Sequence, residues 1–239
     1  MKFIWFRVIF IGVCFTFFMA FLLGLDFILD VVTPIFALSP LIYIFVRYFY
    51  GKYSERKLAK DDTTKTVRIN DKYSIDLPSF TEPVPVSVFA SILYYNSFFD
   101  GDARSASLRY HNRVVNFYTY VIDRAKSDVV AEIEKMKTTG KAPNQDNPLL
   151  VDYAEMALKR LHGFTLKRED TDINVGGLKG ITISLLKSGK HKHYYRVSFL
   201  EGKDTIYQIV SLKVGSYGFV VDDPFLFKML KIVNSFREL

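Results

Sequence analysis

Two long stretches of this chain carry no charge at all. Residues 8–25 (VIFIGVCFTFFMAFLLGL) are the first and residues 31–46 (VVTPIFALSPLIYIFV) the second, with only Asp26 and Asp30 charged between them. About 18 uncharged, mostly apolar residues make a helix of about 27 Å, close to the hydrocarbon thickness of a bilayer. The second run is shorter, and Phe27, Ile28 and Leu29 extend it. The sequence therefore predicts a two-helix transmembrane anchor over residues 1–50, a basic juxtamembrane linker over 51–66 and a water-soluble domain over 67–239.

The formal net charge of +7 invites a nucleic-acid reading, so its placement matters. Residues 51–68 hold six basic residues against three acidic ones, and residues 1–50 three against two. The excess is partly juxtamembrane, where Arg47, Lys52, Arg56, Lys57 and Lys60 are expected to meet lipid headgroups. No nucleic-acid partner is expected. Lys2 and Arg7 open the first run, and the connection around Asp26 and Asp30 has no basic residue. The positive-inside rule then puts both ends, and the soluble domain, in the cytoplasm. Tyr43, Tyr48, Tyr50 and Tyr53 suit an interfacial belt. The single cysteine, Cys14, excludes an internal disulfide.

Two alternatives stay open. A cleaved signal peptide over residues 1–24 would need a small-residue cleavage site, and Phe21-Leu22-Leu23-Gly24 is a poor one. Pro34 and Pro40 each remove a helix hydrogen bond. That permits one spanning helix followed by a broken, interfacial one, which would move the domain across the membrane.

In the soluble part, Val67 to Ile69, the turn Asn70-Asp71 and Tyr73 to Leu77 read as a hairpin. Pro78, Pro83 and Pro85 break regular structure. Residues 86–99 (VSVFASILYYNSFF) fit a buried strand, an amphipathic helix or a membrane-touching insertion. Within them Tyr94, Tyr95, Phe98 and Phe99 form a candidate partner or membrane contact, against the plainer reading of core packing. Ser105 to Tyr110 and Val114 to Ile122 read as strands paired around His111-Asn112. A helix capped by Ser127 carries Val129, Ile133 and Met136 on one face. Asn147-Pro148 opens a second helix, with Leu149, Tyr153, Met156 and Leu161 on its apolar side. A meander of strands follows from Phe164, and Asp223-Pro224 starts a last helix with Phe225, Met229, Ile232 and Phe236 in one stripe. The expected class is α+β, an antiparallel sheet with helices packed on it.

No catalytic motif stands out. His191 and His193 leave the same strand face, but Lys190 and Lys192 flank them and repel a cation, so a solvated hairpin arm is expected. His111 and His162 read as structural. Gly176-Gly177 and Gly180 precede a strand rather than Lys-Ser/Thr and a helix, which leaves a turn and no phosphate loop. Asp222-Asp223 is explained by helix capping, and Asp100-Gly101-Asp102 lacks the bidentate Glu of a calcium loop. No cofactor, metal or catalytic residue is predicted.

Several short stretches share a pattern. They are Tyr73 to Pro78, Ala106 to Asn112, Tyr118 to Asp123, Asn174 to Gly180, Tyr207-Gln208-Ile209, and Phe225 with Ile232 to Phe236. Together they resemble the PsbP/DcrB-like α/β/α sandwich family in its small bacterial form, over about residues 67–239. The resemblance implies an antiparallel sheet flanked by helices and non-enzymatic roles, as accessory subunits, protein-binding adaptors or envelope proteins. It carries over no binding residue, and both the membrane hairpin and segment 86–99 depart from it. The expectation is a non-catalytic accessory or scaffold subunit of a bacterial inner-membrane complex, with membrane lipid and a protein complex as partners. The alternative is a tethered ligand-binding or sensing domain.

Overall fold

A computed structural model describes residue 18 and residues 33–89, 104–137, 148–159, 165–187, 193–214 and 223–239. The first apolar run lies almost wholly outside the described residues, as do Tyr94, Tyr95, Phe98 and Phe99. The chain divides into two compact units, Met1–Tyr53 and Ser54–Leu239.

Helix α1 (Thr33–Lys60) ends the first unit, and its last turns begin the second. It continues through Pro40 without a break, so the interrupted helix that the prolines permit is not observed. Among the described residues no helix is long and apolar enough to cross a membrane. Residues 51–60, expected to be linker, are helical and run through three residues into strand β1 (Thr64–Ile69). The reason is packing: Leu58 and Ala59 lie against the core of the domain, so this basic stretch has an apolar side to bury.

β1 pairs in unbroken antiparallel register with β2 (Tyr73–Pro78). Asn70 and Asp71 take positive φ in the turn, which their short polar side chains tolerate. The main sheet holds β3 (Glu82–Pro83), β4 (Leu108–Asn112), β5 (Phe117–Ala125), β6 (Thr165–Val175), β7 (Leu178–Lys187), β8 (His193–Glu201) and β9 (Thr205–Val214). Its order is β3-β4-β5-β9-β8-β7-β6, antiparallel throughout. Helices α2 (Lys126–Lys137) and α3 (Pro148–Lys159) lie between β5 and β6, and α4 (Asp223–Asn234) follows β9. A short β10 (Arg237–Glu238) joins the other side of β2.

Strand alternation gives the main sheet two buried faces. Tyr118, Tyr120 and Ile122 of β5, with Ile206, Val210 and Leu212 of β9, turn toward Val129 and Ile133 of α2 and Tyr153 of α3. Phe117 and Val121, with Tyr207 and Ile209, turn toward Tyr73, Ile75 and Leu77 of β2 and Phe225 and Met229 of α4. Each such apolar side chain contributes about 1.5–3 kcal/mol. The α+β class expected from sequence is the one observed.

Several local expectations are corrected. His111 and Asn112 lie inside β4, and the turn falls later, at residues 113–116. Asn112 Oδ1 accepts from the Val114 and Val115 amides, at 2.9 and 3.1 Å, and Asn116 takes φ 49°. Ser127 sits in the first turn of α2 rather than before it. His193 is buried in β8 between Lys187 and Val214, not on a solvated arm. The Gly176-Gly177 turn is as expected: both φ values are positive, and a Cβ at Gly176 would meet the Phe236 carbonyl oxygen at 2.7 Å.

The second face also carries polar side chains, and one is a cation. Lys213, at 2% exposure, sits in β9 across from Phe117 and Tyr194. Its Nζ lies 2.6 Å from Glu55 Oε1 and 5.1 Å from the centre of the Phe225 ring. Removing one member of a buried ion pair leaves the other charge uncompensated. Glu55→Gln and Lys213→Met are each expected to cost about 3–5 kcal/mol, with much of that recovered in the double variant. Thermal unfolding of the three variants, followed by β-sheet circular dichroism, measures it. Additive losses would refute the pairing.

Candidate functional site

One cluster of charged groups in the second unit lies where α1 ends. Lys228 of α4 is 4% exposed; its Nζ donates to the Asp61 carbonyl at 2.5 Å and lies 3.1 Å from Asp62 Oδ1. An ammonium here meets the carbonyl end of a helix, where the dipole favours positive charge. Lys231 adds a second contact to Asp62 at 3.4 Å. These residues, with Asp76, Asn234 and Ser235, line a groove of about 370 Å³.

The groove's charged groups and Ser235 are already used. Asp61 Oδ1 accepts from the Thr63 amide and hydroxyl, at 3.0 and 2.6 Å, which holds its pKa below 3.8. The Lys228 hydrogen bond, then the charges of Lys228 and Lys231, hold Asp62 below 3.8 as well. Asp76 Oδ1 accepts from Thr66 Oγ1 at 2.6 Å. Ser235 Oγ accepts from the Asp76 amide at 2.9 Å and donates to the Ile232 carbonyl at 2.7 Å. With their pKa values lowered, Asp61 and Asp62 are weak bases at neutral pH. The groove is a joint fastening the end of α1 to β2 and α4. Among the described residues no group of three or more His, Cys, Asp or Glu is placed to hold a metal ion.

Neither buried lysine was singled out from sequence. The available signal was a lysine inside an otherwise apolar strand, Lys213 in IVSLKV, and one inside an apolar stripe, Lys228 in FLFKML. Of the residues predicted to touch lipid, Arg47, Arg56, Lys57 and Lys60 are exposed on α1, while Lys52 is half-buried with Nζ 5.3 Å from the Tyr48 ring centre. In the first unit Phe45, Val46, Phe49, Tyr50 and Tyr53 form an exposed apolar surface on α1, with Phe45 and Phe49 stacked at 6.4 Å. His162, His191, Asp222 and Asp100 to Asp102 lie outside the described residues.

The sheet edges differ in a way that bears on partners. β3 has two residues and contains Pro83; β6 has register shifts between Leu166 and Arg168 and between Asp170 and Ile173; β10 has two residues. Shortness, proline and bulges are how edges are closed to further strands. β1 has six residues, no proline and no bulge. The Ser79 amide donates to the Thr63 carbonyl, which makes these two a bonded pair. By antiparallel alternation Lys65, Val67 and Ile69 are then the residues bonded to β2, and Thr64, Thr66 and Arg68 turn their amides and carbonyls outward.

His111 is buried and stacked on Tyr118 at 4.2 Å, and among the described residues its Nε2 has no hydrogen-bond partner. Burial, then the nearby Arg113 charge, pushes its pKa from 6.5 down to about 4.

No family model matches the chain, and no curated protein sequence matches it. Among solved structures it is similar to the Ran-binding protein Mog1p of Saccharomyces cerevisiae, at 14% identity and TM-score 0.43, covering 73% of this chain and 95% of that one. It is also similar to the cyanobacterial PsbP (CyanoP) of Synechocystis sp. PCC 6803, at 10% identity and TM-score 0.39, covering 74% and 93%. A third is LpqN of Mycobacterium tuberculosis, involved in cell envelope biogenesis, at 12% identity and TM-score 0.36, covering 74% and 90%. Likeness this slight transfers neither a partner nor a role.

The pH dependence of stability has a definite sign. Between pH 6.5 and about 4 the unfolded chain binds a proton at His111 that the folded chain does not. Stability is therefore expected to fall as pH falls through that window, whereas Asp61 and Asp62 contribute losses only below about pH 3.8. A thermal midpoint series across the window should show the slope in the wild type and its flattening in His111→Phe. Equal slopes would contradict the assignment.

Proposed function

We propose that this chain is a non-catalytic accessory subunit, tethered to a bacterial inner membrane with its α+β domain on the cytoplasmic side, and that the domain binds a protein partner by adding an extended segment to β1. The observation that carries the reading is the edge that β1 leaves open among the described residues: six residues in regular register, beside three edges that are closed. Main-chain ladders of this kind supply affinity while side chains at alternate positions supply selectivity. The tether is supported by the uncharged run of residues 8–25 and by the exposed Ile44, Phe45, Val46 and Phe49 on α1, an apolar patch of the kind that marks a lipid or protein contact. The PsbP-like resemblance of residues 67–239 fits a binding role. In the groove at the end of α1 the carboxylates and both lysines are paired with one another or with neighbouring groups, which favours a joint over a ligand site.

Affinity purification of the tagged full chain from its native membrane in mild detergent, with mass spectrometry, tests the reading. A stoichiometric protein is expected. Arg68→Pro removes an outward amide and spares the β2 ladder, so it is expected to keep the thermal midpoint yet weaken partner retention about tenfold or more. Val67→Pro, which breaks the ladder itself, should destabilise the domain. A chain that purifies alone contradicts the accessory role; full retention by Arg68→Pro contradicts the edge.

A further inference from the structure

We propose that the last turns of α1 form a docking surface for anionic phospholipid headgroups, through Arg56, Lys57 and Lys60. This rests on the tethered reading above and names the lipid class. In sequence, residues 54–62 look neutral: Glu55, Asp61 and Asp62 balance Arg56, Lys57 and Lys60. The fold separates the two signs. Glu55, Leu58 and Ala59, spaced three and four apart, share the side of the helix turned to the sheet. There Glu55 is matched by the buried Lys213. Asp62 sits between Lys228 and Lys231, and the Asp61 carboxylate is held by Thr63. All three acids are thus engaged by groups outside the basic run.

The bases are not. Arg56, Lys57 and Lys60 are exposed, with Arg56 and Lys60 four apart and Lys57 beside them. Among the described residues none of the three has a carboxylate within ion-pair distance. Three uncompensated cations within five residues complement a negatively charged leaflet, each strengthening attachment about fivefold at low salt. Zwitterionic headgroups offer no such complement.

The test uses the full chain in nanodiscs of phosphatidylcholine, alone or with about 30% phosphatidylglycerol. Lysine acetylation is read by mass spectrometry at Lys57 and Lys60, with exposed Lys203 as the internal control. The expected result is about fivefold slower acetylation of Lys57 and Lys60 in the anionic discs, reversed by high salt, with Lys203 unchanged. Equal rates in both discs, with the chain retained after an alkaline wash, overturn the lipid surface and leave the tether standing. Loss of the chain from the discs in that wash overturns both. Equal slowing by inorganic phosphate in phosphatidylcholine discs assigns the site to free anions and overturns the lipid source.

Discussion

An ammonium group inside a β-sheet sets the terms for the rest of this structure. Lys213 stands in β9 on a face otherwise occupied by Phe117, Tyr207 and Ile209, and a buried cation is tolerated only with a close counter-charge. Glu55 is that counter-charge, 158 residues earlier in the chain, and it fixes where the end of α1 lies against the domain. Lys228 repeats the arrangement at the next turn by meeting the carbonyl end of the helix. The uncharged polar groups of this face are matched across strands, Thr119 with Ser211 and Thr182 with Ser198. The face is therefore polar in part, and these hydroxyls pair across strands.

The opposite face is closed differently. Helices α2 and α3 cover it, and its polar atoms pair within the core: the Tyr120 and Tyr195 hydroxyls with each other, and the Tyr153 hydroxyl with Gln208 at 3.2 Å. These pairs tie the polar groups of both faces together, whereas the buried His111 Nε2 has no hydrogen-bond partner among the described residues. What the domain presents outward is a strand edge and a basic helix side. Both fit the attachment role proposed above.

Much of the architecture could be read from alternation. β5, β7, β8 and β9 bury one residue in two against α2 and α3, and Pro148 and Asp223 mark helix starts directly. The end of α1 could not be read this way. Residues 51–60 are mostly polar, and their burial depends on a lysine far along the chain, which no local window contains. The same holds for the open edge. β1 is distinguished only by comparison with three other edges, and which strands become edges is decided by long-range pairing. The lysine neighbours of His193 suggest a solvated arm, whereas the fold sets it between β7 and β9.

The central claim is that residues 55–60 belong to the folded domain. Hydrogen exchange of the full chain, resolved to short peptides, tests this directly. The account predicts that the amides of residues 56–60 exchange as slowly as those of the first half of β9, because opening them would expose Lys213 and Lys228 without their partners. Exchange of these amides within seconds, while β9 stays protected, would show a tether in place of a fastened helix and would contradict the account.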